Sequence, residues 1–302
     1  MTYQIKVDYS PVYELVTSMY HYINFKHHRS MHLGKEWYRT TRDKLSSNFA
    51  KELEDERFEV VHRINLLVWQ FDGEKCPEEF LRWLQNQPAG ELYERLSPWI
   101  DAIPGNLAEI RDRLVYLLNE WNEQYFKTID PNILSLLQWE AEQKEALVNE
   151  MSAIDLIEEA TNGIRIEPVE GLKTVFLIPQ YHCHPATILD FYQNISTCLY
   201  PVSLDKADAD LPNWELTAIA QAIADEQRLR ILRFLYQQPR TFTEVQQHLG
   251  LSKSTTHHHL TILRRAGMIR SHHFGKLTAQ VYSLREQAIE ELSKKLLLYI
   301  KS

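Results

Sequence analysis

The residues best suited to chemistry lie between 241 and 282, in TFTEVQQHLGLSKSTTHHHLTILRRAGMIRSHHFGKLTAQVY. Within them Thr256, Leu260 and Leu263 recur at i, i+4 and i+7, which predicts one buried helix face. Ser252 precedes that face as a plausible N-cap. Lys253, Ser254, Thr255, His257, His258, Thr261, Arg264 and Arg265 then fall toward the outward side. Short hydroxyls, imidazoles and cationic groups donate hydrogen bonds to phosphate oxygens or reach base edges. Free N–H groups at a helix start can also receive a phosphate. His273 and Lys276 extend the set into a short basic segment downstream. The candidate DNA contacts are therefore Ser252, Lys253, Ser254, Thr255, His257, His258, Thr261, Arg264, His273 and Lys276. His259 borders the apolar face and is expected to be structural.

The elements that must hold these residues are legible nearby. Helical patterns at 243–249 and 252–266 meet at Leu249-Gly250-Leu251. Strands at 268–271 and 280–283 are expected to turn at Phe274-Gly275-Lys276. Helices at 214–224 and 226–237 precede the pair, and an amphipathic helix at 285–301 follows. This order, helix–turn–helix and then wing, puts one helix into the major groove of double-stranded DNA.

Residues 216–284 resemble the winged helix of ArsR-type bacterial transcription regulators. The residues that carry the likeness are ADEQRLRILRFL (224–235), LGLSKSTTHHHLTILRRAGMIRS (249–271) and VYSL (281–284). The resemblance implies a homodimer paired through the first and last helices of the module. It implies a two-fold DNA site read by the helix 252–266 and the wing 268–284, and a repressor rather than an activator. It also implies metal-sensing ligands that this chain lacks. The segment 242–250 has no cysteine, and 285–302 has no histidine, cysteine or aspartate. The first 200 residues more distantly resemble a domain that precedes the winged helix in a subset of these regulators. SPVYELVTSMY, VFLIPQY and CLYP carry that likeness, which brings no chemistry with it.

The formal net charge of −8 would alone argue against a nucleic-acid partner. It is unevenly spread. Residues 213–302 hold 13 Lys/Arg against 7 Asp/Glu, a net of +6, whereas 1–212 sum to −14. That split fits a DNA-binding module joined to a domain with another task. At 302 residues the chain has room for two domains. The polar stretch SLDKADADLPN at 203–213 is the expected boundary, giving domains 1–205 and 214–302. No apolar run is long enough to span a bilayer, the opening residues show no signal-peptide pattern, and three scattered cysteines form no disulfide framework. A cytoplasmic protein with no membrane partner is expected.

Residues 11–160 read as mostly helical, with candidates at 35–54, 55–71, 77–86, 106–126 and 131–160. Between 163 and 202 the pattern shifts toward a small sheet, to which the opening YQIKV could add a strand. The fold class is thus α+β, mostly helical: an N-terminal helical domain with a small sheet, then a winged helix. No phosphate-binding loop, nucleophile elbow, H-E-x-x-H or dinucleotide fingerprint occurs, so no enzyme and no cofactor is expected. Adjacent positions of a helix point about 100° apart, so His257, His258 and His259 cannot converge on one ion. His182, Cys183 and His184, with His27, His28 and His32 elsewhere, leave a metal site open, although buried or solvated side chains are preferred. Cys183 and Cys198 lack a redox spacing. Trp37, Trp69, Trp83, Trp99, Trp121 and Trp139 either fill a core or line a pocket for a small-molecule effector. Control through residues 1–202 is expected. The alternative is an enzyme or protein-interaction domain fused to the DNA-binding module.

Overall fold

The computed structural model describes residues 2–25, 32–55, 61–204 and 212–301. The chain begins with β1 (Gln4–Val7), α1 (Pro11–Ile23), α2 (Gly34–Lys44), α3 (Ser47–Asp55), α4 (Val61–Val68) and α5 (Pro77–Asn86). It continues through α6 (Ala89–Leu96), α7 (Leu107–Gln124), α8 (Pro131–Leu147), α9 (Ala153–Thr161) and β2 (Ile164–Ile166). Next come β3 (Thr174–Gln180), β4 (Ile188–Phe191), β5 (Ile195–Pro201), α10 (Trp214–Ile223) and α11 (Glu226–Gln237). The last elements are β6 (Arg240–Thr241), α12 (Phe242–Leu249), α13 (Lys253–Arg265), β7 (Ile269–Phe274), β8 (Leu277–Leu284) and α14 (Glu286–Lys301). The protein is mostly helical with two four-stranded sheets among the described residues.

Two compact units emerge, and their boundary differs from the expected one. One unit joins Tyr3–Ala146 with Gly171–Leu204; the other joins Leu147–Glu170 with the residues from 212 onward. The segment 147–170 therefore packs with the C-terminal unit and not with the domain 1–205 to which the sequence assigned it. The helix expected over 131–160 is broken where Ser152, in extended conformation, caps α9 by accepting from the Asp155 amide. Likewise 35–54 divides at Leu45 into α2 and α3, and α6 has no counterpart in the sequence reading.

In the N-terminal unit α1 starts from a side-chain cap by Ser10 with Pro11 in its first turn, and most of its residues are buried. It packs with α4, α5 and α7 around a core that includes Leu15, Met19, Leu66, Phe80, Leu117 and Trp121. The sheet order is β1-β3-β5-β4; β1, β3 and β5 are parallel and β4 antiparallel. The expected strand in YQIKV is thus present. Strands β3 and β5 are buried almost throughout, which suits their runs TVFLIPQ and ISTCLYP.

In the C-terminal unit the sheet order is β2-β7-β8-β6. Strand β2 was expected in the N-terminal sheet. It pairs instead in parallel with β7, Ile164 opposite Ser271 and Ile166 opposite His273. Ile166 is fully buried, as are Leu156 and Ile157 of α9. Asn162 ends α9 in the left-handed region, and Gly163 follows at φ +123°, where an added Cβ would lie 2.8 Å from the Ile269 carbonyl oxygen. Only glycine permits both that conformation and that approach.

Candidate DNA-contact surface and an apolar cavity

Helix α13 is built as its sequence suggests. Thr241 and Glu244 form a capping box at the start of α12, and Gly250 at φ +68° ends it. Ser252 then caps α13, its hydroxyl accepting from the Thr255 amide at 3.1 Å. The same oxygen lies 2.9 Å from Ser254 Oγ and 2.8 Å from Thr255 Oγ1, so three hydroxyls cluster at the helix start. Thr256, Leu260 and Leu263 are buried, the face their spacing predicted. Thr256 also donates its hydroxyl to the Ser252 carbonyl. His259 is buried with its Nδ1 3.8 Å from Asp225, the cap of α11. Burial depresses its pKa, and the Asp225 charge opposes that shift.

Ser252, Lys253, Ser254, Thr255, His257 and His258 are exposed, and Thr261 is half-buried beside His257. The exposed set surrounds the N-terminus of α13, where the peptide dipoles favour an anion. Lys276 is exposed at the turn between β7 and β8. These residues share the chemistry of phosphate and base-edge recognition.

Arg264 and His273 stand apart from them. Arg264 directs Nη1 to the carbonyls of Thr161 and Asn162, at 3.0 and 2.8 Å. Its guanidinium thus closes the C-terminal end of α9, where orphan carbonyls attract a cation. His273 lies in β7, and its carbonyl accepts from the Glu167 amide. Burial, with Arg264 and His272 nearby, lowers its pKa to about 4, so it carries no positive charge at neutral pH. The sequence reading treated both as free donors because it lacked the strand beside them.

That strand brings acid to the wing. Residues 147–170 hold 6 Asp/Glu and 1 Arg, a net of −5 against the +6 of 213–302. Glu158 gathers Arg165 at 2.5 Å, Arg270 at 2.7 Å and Arg285 at 3.4 Å. Glu167 pairs with His272 at 2.7 Å, and the other imidazole nitrogen lies 2.8 Å from Ser283 Oγ. Arg270 and Arg285 of the C-terminal segment thus have an internal carboxylate partner. The complementary charge of the two segments was a visible signal, but nothing in the sequence said that they met.

In the N-terminal unit the His182-Cys183-His184 loop is a packing device. All three side chains are buried. The Glu14 carboxylate accepts from the amides of Tyr181 and His182 and pairs with His182 Nδ1. His182 Nε2 lies 2.7 Å from the Tyr125 hydroxyl, which accepts from Trp37 Nε1 at 2.8 Å. Burial raises the Tyr125 pKa, and it pushes the Cys183 thiol well up as well. Neither is an activated nucleophile. Among the described residues, no three His, Cys, Asp or Glu side chains gather to hold a metal; His27 and His28 lie outside those residues. Cys183 and Cys198 are both buried and neither is in a disulfide.

The tryptophans do not line a pocket together. Trp121 is fully buried, Trp37, Trp69, Trp83 and Trp99 pack against the core, and Trp139 is exposed. A cavity of about 510 Å³, its mouth included, lies instead among α4, α5, α6, α7 and the turn before α7. Its walls are Leu, Ile and Pro side chains together with Arg63 and Arg111. The sequence reading missed it because aliphatic residues at helical spacing read only as core.

The family described as "Bacterial regulatory protein, arsR family" matches residues 225–271. Cadmium resistance transcriptional regulatory proteins CadC from Listeria innocua and from Lactococcus lactis are each 28% identical over 85 residues, covering 27% of this chain and 71% of the relative. A solved homodimeric winged helix-turn-helix DNA-binding domain, Mb0332 from Mycobacterium bovis, is 22% identical over 32% of this chain and 87% of its own, with a TM-score of 0.25.

Proposed function

The C-terminal unit carries a DNA-binding winged helix of the ArsR family, and from that premise we propose a homodimeric repressor controlled through its N-terminal unit. Its two-fold operator is read by α13 and by the wing of β7 and β8. The carrying observation is the exposed ring of Lys253, Ser254, Thr255, His257 and His258 around the capped start of α13. These exposed groups have the chemistry to meet a phosphate backbone and the major-groove edge. Thr261 lies one turn further along, and Lys276 extends the contact at the wing.

Dimerisation is supported by apolar side chains that the unit leaves in water. Leu296, Leu297, Leu298 and Ile300 of α14 are exposed, as are Leu229 and Tyr236 of α11. A second copy is the occupant that would remove them from water. Among the described residues no helix is long and apolar enough to cross a membrane. Acting on DNA, the protein is proposed to work in the cytoplasm.

Control through the N-terminal unit is supported by the chain's path. It leaves the N-terminal unit at 146, builds α9 and β2 into the winged-helix unit, and returns at 171. Only Glu167–Lys173 separate β2 from β3. An effector that favours one arrangement of β3 can bias β2, and through it β7 and Arg264, by the usual coupling of about 1–3 kcal/mol. The test is a titration of the full chain against DNA from upstream of its own gene, over a salt series. Affinity is expected to fall steeply, about 0.9 in log–log slope for each phosphate neutralised. Salt-independent affinity, or no binding, would overturn the reading.

A further inference from the structure

The cavity in the N-terminal unit has a chemistry of its own. Ile64, Leu67, Leu84, Leu96 and Leu107 are buried among their neighbours and also line this cavity. An empty apolar cavity forfeits dispersion contacts, so an apolar guest that fills it gains them. Concave, mostly apolar pockets with a few placed polar groups are the usual form of a small-molecule site.

Two residues break the aliphatic lining, and both are arginine. Arg63 commits one donor to the Ala102 carbonyl at 3.1 Å. Arg111 donates Nη1 to the Gln87 carbonyl and gives Nε and Nη2 to Asp112. A guanidinium has five N–H donors, so each keeps donors in reserve while its anchor fixes its place. Asp112, outside the lining, already engages one edge of Arg111, and among the described residues the lining itself adds no carboxylate. Guanidinium groups recognise planar anions, carboxylates above all.

We propose that this cavity binds an ionised aliphatic carboxylate of medium chain length, with its chain among the Leu and Ile side chains and its head on Arg63 and Arg111. The proposal deepens the reading of the N-terminal unit as the effector-bearing part. It rests on that reading only for the consequence at DNA.

The experiment is calorimetric titration of the full chain with hexanoate, octanoate and decanoate, and with 1-octanol and octylamine as controls. Affinity is expected to rise about three- to fourfold with each added methylene. Octanoate should bind at least tenfold more tightly than 1-octanol, and octylamine more weakly than either. Arg63→Gln and Arg111→Gln should each reduce the preference for octanoate over octanol. Leu96→Trp should block all of these ligands by filling the space. Leu96→Met serves as the milder variant, with circular dichroism reporting that each variant is folded. Equal binding of octanoate and octanol, indifference to both arginine variants, or no saturable binding would overturn the proposal. The same samples are titrated with DNA. Octanoate binding without change in DNA affinity supports the site and refutes control through it. DNA binding without octanoate binding refutes the site and leaves the DNA reading intact.

Discussion

The start of α13 and the inner edge of the wing are both basic in sequence, but the fold treats them oppositely. Around Lys253 the cationic and hydroxyl side chains stay exposed. On and beside β7 the guanidiniums of Arg264, Arg270 and Arg285 are taken up by the end of α9 and by Glu158, and His272 by Glu167. A count of positive residues therefore overstates the charge available to DNA. What matters is which cations have acquired internal partners.

The largest expected effect is on folding. If β2 belongs to the winged-helix unit, Ile166→Ala should destabilise that unit as Leu260→Ala does, each by about 2–5 kcal/mol. Hydrogen exchange at the β7 and β8 amides in the full chain reports both. Unchanged protection in Ile166→Ala would mean that β2 is only an accessory strand.

Removing the acid at the node has the next largest effect. Glu158→Gln takes the carboxylate partner from Arg270 and Arg285, while Arg165 keeps Asp155 and Glu167, and should cost about 1–3 kcal/mol, between the values for surface and buried pairs. Urea unfolding followed at the C-terminal unit measures it. A cost no larger than that of Glu226→Gln, in the exposed first turn of α11, would show that Glu158 holds nothing together.

Acid should weaken the same edge. The His273 pKa is lowered to about 4 in the fold, against about 6.5 unfolded. Its stability contribution is present above pH 6.5 and is lost as pH falls toward 4, because the unfolded chain then binds the proton first. With the partial exposure discounted, the loss should be roughly 1–2 kcal/mol across that window. His184 in the N-terminal unit, lowered to about 4 by burial and by His32, should give the other unit a similar slope. His273→Gln should flatten the pH dependence of the C-terminal unit alone.

The smallest effect separates the two basic regions directly. Lys253→Ala should lower the salt slope of DNA binding by about one unit while changing stability by less than ~0.5 kcal/mol. Arg264→Ala should leave the slope unchanged and destabilise the fold. Equal slopes for the two variants would return Arg264 to the DNA surface.

How far the sequence can be read depends on the range of the signals. Thr256, Leu260 and Leu263, the Ser252 cap and the Gly250 turn are local signals. Periodicity and capping fix them within one or two turns of helix, so α13 and its exposed face are legible from the residues alone. The hairpin strands are legible for the same reason. Arg264 and His273 fall on the DNA side in the sequence because local spacing sees only their own element.

The sequence alone determined a mostly helical α+β chain, a winged helix near its C-terminus and the side of α13 that faces water. The tertiary structure decided that β2 joins β7 across about a hundred residues of chain, which Asp/Glu and Lys/Arg cancel, and where aliphatic side chains leave a cavity. The physical reason is that a three-residue strand has too little pattern to specify a distant partner, and ion pairing depends on distance in space rather than in sequence. A cavity is a failure of packing to close, which composition does not encode.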